Sequence, residues 1–241
     1  MDFLVVISIA IAAFLSAIIG GVVGIGTAII MLPILAATFG VKETVPIISV
    51  AMTIANIARL LANWKEVDWK VVFWWCIGGM PTVFLGTLIL VNVSTGALTR
   101  LLGLFFLVLV VYRYAPISKD RRMRLRAFIF VGAVQSTIGS LFGASGPLGA
   151  PFFLAYGLTR GAFVGTLGVA NAVSGGSRLL VQKSFDILDL RLFLIGLAIG
   201  MVMFAGGFAG RLVVTRISEQ AFVRLVEVVL IIVGLIFIIR G

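Results

Sequence analysis

Apolar residues run through this chain in long unbroken stretches, without the alternation or the three-four spacing that would leave a polar face toward water. The stretches lie near Phe3 to Gly20, Thr27 to Phe39, Thr44 to Ala62, Val71 to Val91, Leu101 to Tyr112, Ala127 to Phe142, Gly146 to Tyr156, Ala162 to Gly176, Leu192 to Gly210 and Leu225 to Ile239. A helix that is apolar all round belongs in a membrane or a deeply buried core. Spanning a bilayer takes about 20 such residues, and a helix satisfies its own backbone groups there. Two runs, Thr27 to Phe39 and Gly146 to Tyr156, fall short of a ~30 Å hydrocarbon layer at 1.5 Å per residue. Both follow a glycine cluster. The pattern predicts an all-α polytopic membrane protein with about eight to ten membrane segments, two of them short and glycine-interrupted. Because no basic residue precedes Phe3 and the first run continues into Gly20-Gly21, that run reads as a first span and not as a cleaved signal peptide.

The chain also matches itself. Val93-Ser94-Thr95-Gly96-Ala97-Leu98-Thr99-Arg100-Leu101 lies over Ile217-Ser218-Glu219-Gln220-Ala221-Phe222-Val223-Arg224-Leu225. Asp68-Trp69-Lys70 falls on Asp189-Leu190-Arg191, Ala55-Asn56 on Ala170-Asn171 and Pro33 on Pro151, with the order kept throughout. Shared greasiness does not account for matched Asp, Asn, Pro and Arg. The expected organisation is a first repeat over 1–112, a basic linker over 113–126 and a second repeat over 127–241. If both short segments cross, each half has an odd number of passes and the halves are inverted; if both re-enter, the halves are parallel. The positive-inside rule scores the two arrangements equally. Glycine-interrupted short segments at matching places, a recurring mark of inverted-repeat transporters, favour inversion.

Composition narrows the chemistry. The hydrophobic share is 61% and the charged share 12%, against roughly 45–50% and 25% in soluble domains. The absence of histidine and the single cysteine, Cys76, exclude a histidine-bearing zinc site, a Ser-His-Asp triad, a Cys-His dyad and an intrachain disulfide. Without paired carboxylates either, the chain is not expected to be an enzyme, and no cofactor or metal is expected. The net charge of +10 reads as topology: the linker Arg113 to Arg126 holds six basic residues against Asp120 and belongs on the cytoplasmic side. It can touch lipid headgroups, but no base-reading fold or aromatic platform accompanies it, so nucleic acid is not an expected partner. The expected partners are the lipid bilayer and a small anion, with a homo-oligomer left open. Trp64, Trp69, Trp74 and Trp75 read as an interfacial belt.

Candidate binding residues cluster around the glycine runs. Gly20 to Thr27 and Gly139 to Pro151 allow unwound backbone with bare amides, and the short helix after each run points four free N–H groups and a partial positive charge at the break. Such an end holds anions. Pro147 suits the first turn of the second short helix, where it forfeits no hydrogen bond. The alternative for any single glycine is close helix packing. In the helix after each short segment, Thr53, Asn56 and Arg59, and then Asn171, Ser174 and Arg178, put polar groups at helical spacing. The asparagines can donate to an oxyanion or bond a neighbouring helix. The arginines can meet the anion or snorkel to the interface. Gln135, Ser136, Thr137 and Ser140 line the approach to the second run. The candidate substrate-binding set is Gly24, Gly26, Thr27, Asn56, Arg59, Gly143, Ser145, Gly146, Asn171 and Arg178. Among the acids, Glu227, Glu43 and Asp68 are the ones placed to matter for energy coupling, with an ion pair to Arg224 the plainer role for Glu227.

The paired motifs GGVVGIGTAIIMLP and GSLFGASGPLGAP, each followed by an Asn-bearing helix and a short loop ending in DWK or DLR, resemble the TauE/SafE family of sulfite exporters over nearly the whole chain. The resemblance implies a bacterial plasma-membrane secondary transporter that moves sulfite, sulfoacetate or a related sulfur-containing anion outward. An anion channel is the alternative. The chain departs from the family where Thr27 and Ala28 follow Gly26 in place of consecutive glycines, so that a hydroxyl stands where a bare amide is usual.

Overall fold

The computed structural model describes residues 3–23, 27–114, 123–143, 145–158, 160–213 and 219–240. Among these residues the chain forms ten α-helices: α1 Phe3–Val23, α2 Thr27–Phe39, α3 Val41–Asn63, α4 Trp69–Asn92, α5 Thr95–Tyr114, α6 Phe128–Phe142, α7 Gly146–Tyr156, α8 Arg160–Ser184, α9 Leu190–Val213 and α10 Glu219–Arg240. Short 3₁₀ turns, Trp64–Glu66 and Leu125–Ala127, precede α4 and α6. No described residue lies in a strand. Every expected apolar run is a helix, and both short runs keep the expected ends. The largest difference is α8, which continues eight residues past Gly176 to Ser184. Its polar residues Arg178 and Gln182 are buried inside the bundle, so they do not mark the edge of the apolar layer as their polarity suggests.

The starts of the helices follow from capping. Asp68 Oδ1 accepts from the backbone N–H groups of Lys70 and Val71 at 3.0 and 3.2 Å. Asp189 Oδ1 accepts from that of Leu192 at 2.7 Å. The two matched Asp-x-Lys/Arg motifs are therefore N-caps of α4 and α9, which satisfy amides the helix leaves free. Prolines sit inside both short helices, Pro33 in α2 and Pro151 in α7, and each removes one backbone donor.

Packing places α3 and α8 at the centre, against each other. Around them α4 lies along α6 and α1 along α9, α3 touches α9 while α8 touches α4, and α5 pairs with α10; α2 packs on α1 and α3, and α7 on α6 and α8. Exchanging α1–α5 for α6–α10 in order turns each of these pairings into another of the same set. The larger apolar core joins α1, α2, α3, α5 and α9 around Met31, Leu35, Ile47, Ile48 and Phe106. A second joins α4, α6, α7 and α8 around Trp75, Phe128, Phe153 and Leu167. Large apolar side chains also cover the outside, among them Phe73, Met80, Phe84 and Leu85 on α4 and Ile231, Ile232 and Leu235 on α10, as lipid contact requires. Four helical stretches, Val41–Glu66, Trp69–Asn92, Leu125–Phe142 and Leu190–Gly207, are long and apolar enough to cross a membrane.

Candidate anion site at two helix breaks

The α3–α8 pair is antiparallel and carries a polar seam. A Cβ on Gly165 would lie 3.0 Å from that of Asn63, one on Gly168 would lie 3.1 Å from that of Arg59, and one on Gly175 would collide with the hydroxyl of Thr53. Further along, Gln182 Nε2 donates to Ser49 Oγ at 3.3 Å. Ser49, Thr53, Asn56 and Arg59 on α3, and Ser174, Arg178 and Gln182 on α8, are all buried. They recur every three or four residues, so each set forms one stripe. Thr53 and Ser49 donate back to their own helix, at 2.6 and 2.7 Å.

One cluster forms where α2 begins. Arg59 Nη1 donates to Asn56 Oδ1 at 3.0 Å and Nη2 donates to Thr27 Oγ1 at 2.8 Å. The Thr27 hydroxyl in turn donates to the carbonyl of Ser16 on α1, at 3.2 Å. The threonine that departs from consecutive glycines thus ties α1, α2 and α3 together. Gly24 and Gly26 lie outside the described residues.

A second cluster forms between α6 and α7. Gly143 ends α6 at φ +81, where a Cβ would strike Ile48, so both backbone and space call for glycine. Ser145 is the N-cap of α7 without a side-chain cap bond, leaving its hydroxyl for other partners. Arg178 Nη1 donates to the Gly143 carbonyl at 2.8 Å, and Nη2 reaches Ser174 Oγ at 3.4 Å. Ser174 shares a hydrogen bond with Ser136 on α6 at 3.2 Å. Arg178 Nη2 and Ser145 Oγ lie 2.6 and 2.9 Å from where a Cβ on Gly139 would stand, and Asn171 Nδ2 lies 3.7 Å from the same point on Gly146. Gln135 braces this break: its Oε1 accepts from Trp75 Nε1 at 2.8 Å and its Nε2 donates to the Ser145 carbonyl at 3.2 Å.

Each arginine is therefore on the helix after a short helix and bonded to its own break. The alternative of snorkelling to the interface is corrected: Arg59 is 7% exposed and Arg178 5%, because Gly168 and Gly139 leave room for them between helices. The interfacial reading of Trp75 is corrected as well. It is fully buried and donates into the second cluster, whereas Trp64 and Trp69 are about half exposed. Thr137 bonds its own helix through the Ala133 carbonyl. Glu43 pairs with Arg191 at 3.6 Å on the surface and Asp68 is a cap, so neither acid enters the seam. The side chains of Glu227 and Arg224 lie outside the described residues.

No carboxylate pairs with Arg59 or Arg178 among the described residues. Arg178 Nε, Ser140 Oγ and Gln182 Oε1 are buried without a hydrogen-bond partner, a state native interiors seldom leave unexplained. Removing an ion from water costs several kcal/mol unless an opposite charge compensates it. Two buried cations that hold only neutral acceptors among the described residues make this seam a candidate anion site. The sequence model of the sulfite exporter family TauE/SafE matches residues 9–237. The chain belongs to this family. No curated protein and no solved structure matches it. As a TauE/SafE protein it is a multi-pass membrane protein of a family of sulfite exporters.

The sequence places Thr27, Gly143 and Ser145 in the glycine runs and Asn56, Arg59 and Arg178 on the helices that follow; the structure brings Thr27 to Asn56 and Arg59, and Gly143 and Ser145 to Arg178. It places Asn171 beside Gly146 but gives Asn171 no bond to Arg178. Gly139 opens the second glycine run but stands outside the candidate binding set, and the sequence does not place Trp75 beside this break. The signal for Gly139 is present in the sequence: Gln135-Ser136 and Gly139-Ser140 on α6, with Gly143 at its C-cap, form one small-and-polar stripe at helical spacing.

Proposed function

We propose that this protein is a secondary transporter of the bacterial plasma membrane that exports a small sulfur-containing anion such as sulfite or an organosulfonate. The anion sits between the two breaks, where Arg59, Arg178, Asn56, Asn171, the hydroxyls of Thr27 and Ser145 and the N-terminal turns of α2 and α7 supply donors. The observation that carries this reading is the pair of buried guanidinium groups, one at each break, with no carboxylate beside them among the described residues. Oxyanions are matched by planar guanidinium donors and by helix N-termini.

Two five-helix units, joined by the basic 113–126 segment, provide the moving parts. The support is the reciprocal packing in which every principal contact of one unit has a counterpart in the other. With both short helices crossing, each unit has five passes, an odd number, so the second unit runs opposite to the first, and rocking one against the other exposes the breaks alternately. Nothing in this scheme uses catalysis.

Purified protein in proteoliposomes provides the test. Sulfite flux should saturate and show counterflow, and Arg178→Leu should abolish it with expression intact. Unsaturating, conductive flux would mean a channel. Undiminished flux in Arg178→Leu would remove the second break from the site.

A further inference from the structure

The seam's charge bears on which anions it accepts. Arginine stays protonated in proteins, and the partners of these two are an amide oxygen, two hydroxyls and a carbonyl. Each partner orients a guanidinium, and none cancels its charge.

The two charges also belong to one seam. Gly168 on α8 stands level with Arg59, so Arg178, ten residues further along α8, stands about 15 Å away along the helix axis. Each side chain leans toward the N-terminus of its own helix, Arg59 back to Asn56 and Arg178 back to Ser174. In an antiparallel pair those two directions converge. An anion lodged between the breaks would lie between the two cations.

Resting on the exporter reading above, we infer that the site selects doubly charged anions over singly charged ones of similar size. Its ligands are dianionic oxyanions: sulfite in its fully ionised form, sulfate, thiosulfate, or a short chain with an anionic group at each end. A monoanion leaves one buried guanidinium uncompensated, which a low-dielectric interior penalises heavily. A dianion neutralises both and satisfies more of their N–H groups.

The experiment is competition on the full chain in proteoliposomes. Radiolabelled sulfite flux is measured at one pH against unlabelled sulfate and thiosulfate, which are divalent, and methanesulfonate and nitrate, which are monovalent. The divalent anions should inhibit at concentrations at least tenfold lower. Arg59→Gln and Arg178→Gln each keep hydrogen-bond donors while removing one charge, and each should cut that preference at least tenfold. Methanesulfonate inhibiting wild type as well as sulfate does would overturn the inference while leaving the exporter reading intact. Cooperative inhibition by two monovalent anions would overturn it too. Absence of sulfite flux in wild type would instead defeat the exporter reading. The wild-type competition decides the matter even if the arginine variants fold poorly.

Discussion

Gly139→Ala separates substrate binding from folding at the second break. The added methyl would stand 2.6 Å from Arg178 Nη2 and 2.9 Å from Ser145 Oγ, closer than carbon tolerates. What must move is the end of one long side chain and one hydroxyl, with no backbone in the way. Overpacking costs ~1–3 kcal/mol, and replacing a helical glycine by alanine returns ~1 kcal/mol, so folding changes by no more than about 2 kcal/mol. Binding loses more. The displaced guanidinium gives up a charge-assisted hydrogen bond to the anion worth ~1.5–3 kcal/mol, which at 1.4 kcal/mol per factor of ten raises the half-saturating sulfite concentration about 10- to 100-fold. The assay is sulfite counterflow in proteoliposomes beside the melting temperature of the purified protein. Gly176→Ala on α8, where a Cβ would meet nothing within 4 Å, controls for the intrinsic effect of replacing a helical glycine by alanine. A Gly139→Ala protein with wild-type half-saturation would refute the placement of the anion beside Arg178.

Other outcomes follow from the same contacts. Gln135→Leu leaves the Trp75 indole N–H and the Ser145 carbonyl without their partner; at ~1–3 kcal/mol for a stranded buried group it should lower the melting temperature and shift Trp75 emission in a variant whose other tryptophans are phenylalanine. Asp68→Ala and Asp189→Ala should each cost about 1 kcal/mol as lost N-caps, read by thermal unfolding, with transport per folded molecule unchanged. Glu43→Gln breaks only the exposed pair with Arg191, worth under ~1 kcal/mol, so sulfite flux should keep its pH profile; a flattened profile would make Glu43 a coupling acid. Reorienting the empty carrier moves two unpaired cations through a low-dielectric layer, so sulfite on the far side should accelerate flux, seen as trans-stimulation in preloaded vesicles.

Periodicity revealed most of the fold, because in a bilayer the boundary between apolar and charged sequence is the boundary of a helix. It failed where charge is buried. Gly176 reads as the end of a span only because Arg178 and Lys183 follow it, yet Arg178 is interior and only Lys183 is exposed. Composition cannot distinguish those two cases, since the difference lies in which neighbours leave space. Gly139 and Gly168 create that space, and their role depends on helices remote in sequence. Trp75 was misread for a related reason. Four tryptophans within one short stretch look alike, but the face of α4 that carries Trp75 turns onto α6, where Gly132 allows the helices to meet. The second break was legible because glycine, serine and proline crowd together ahead of a short apolar run, and the arginines because polar residues recur at helical spacing in α3 and α8.

The choice of residues in the seam says how such a site would sense its surroundings. The described groups that face the breaks are arginine, asparagine, glutamine, serine, threonine and backbone amides, and none of these gains or loses a proton near neutrality. Their charge is therefore fixed. A site built from carboxylates or histidines would change affinity as the protein titrated, whereas one built from these described residues would hold a constant field into which the anion brings the variable charge. Selection among anions then falls to the ligand's own ionisation and to how many of its oxygens reach the two guanidinium groups at once. A seam of this kind suits a substrate whose charge changes by one near neutrality, because the bound form is chosen by the anion's proton and needs no acidic residue in the membrane to choose it.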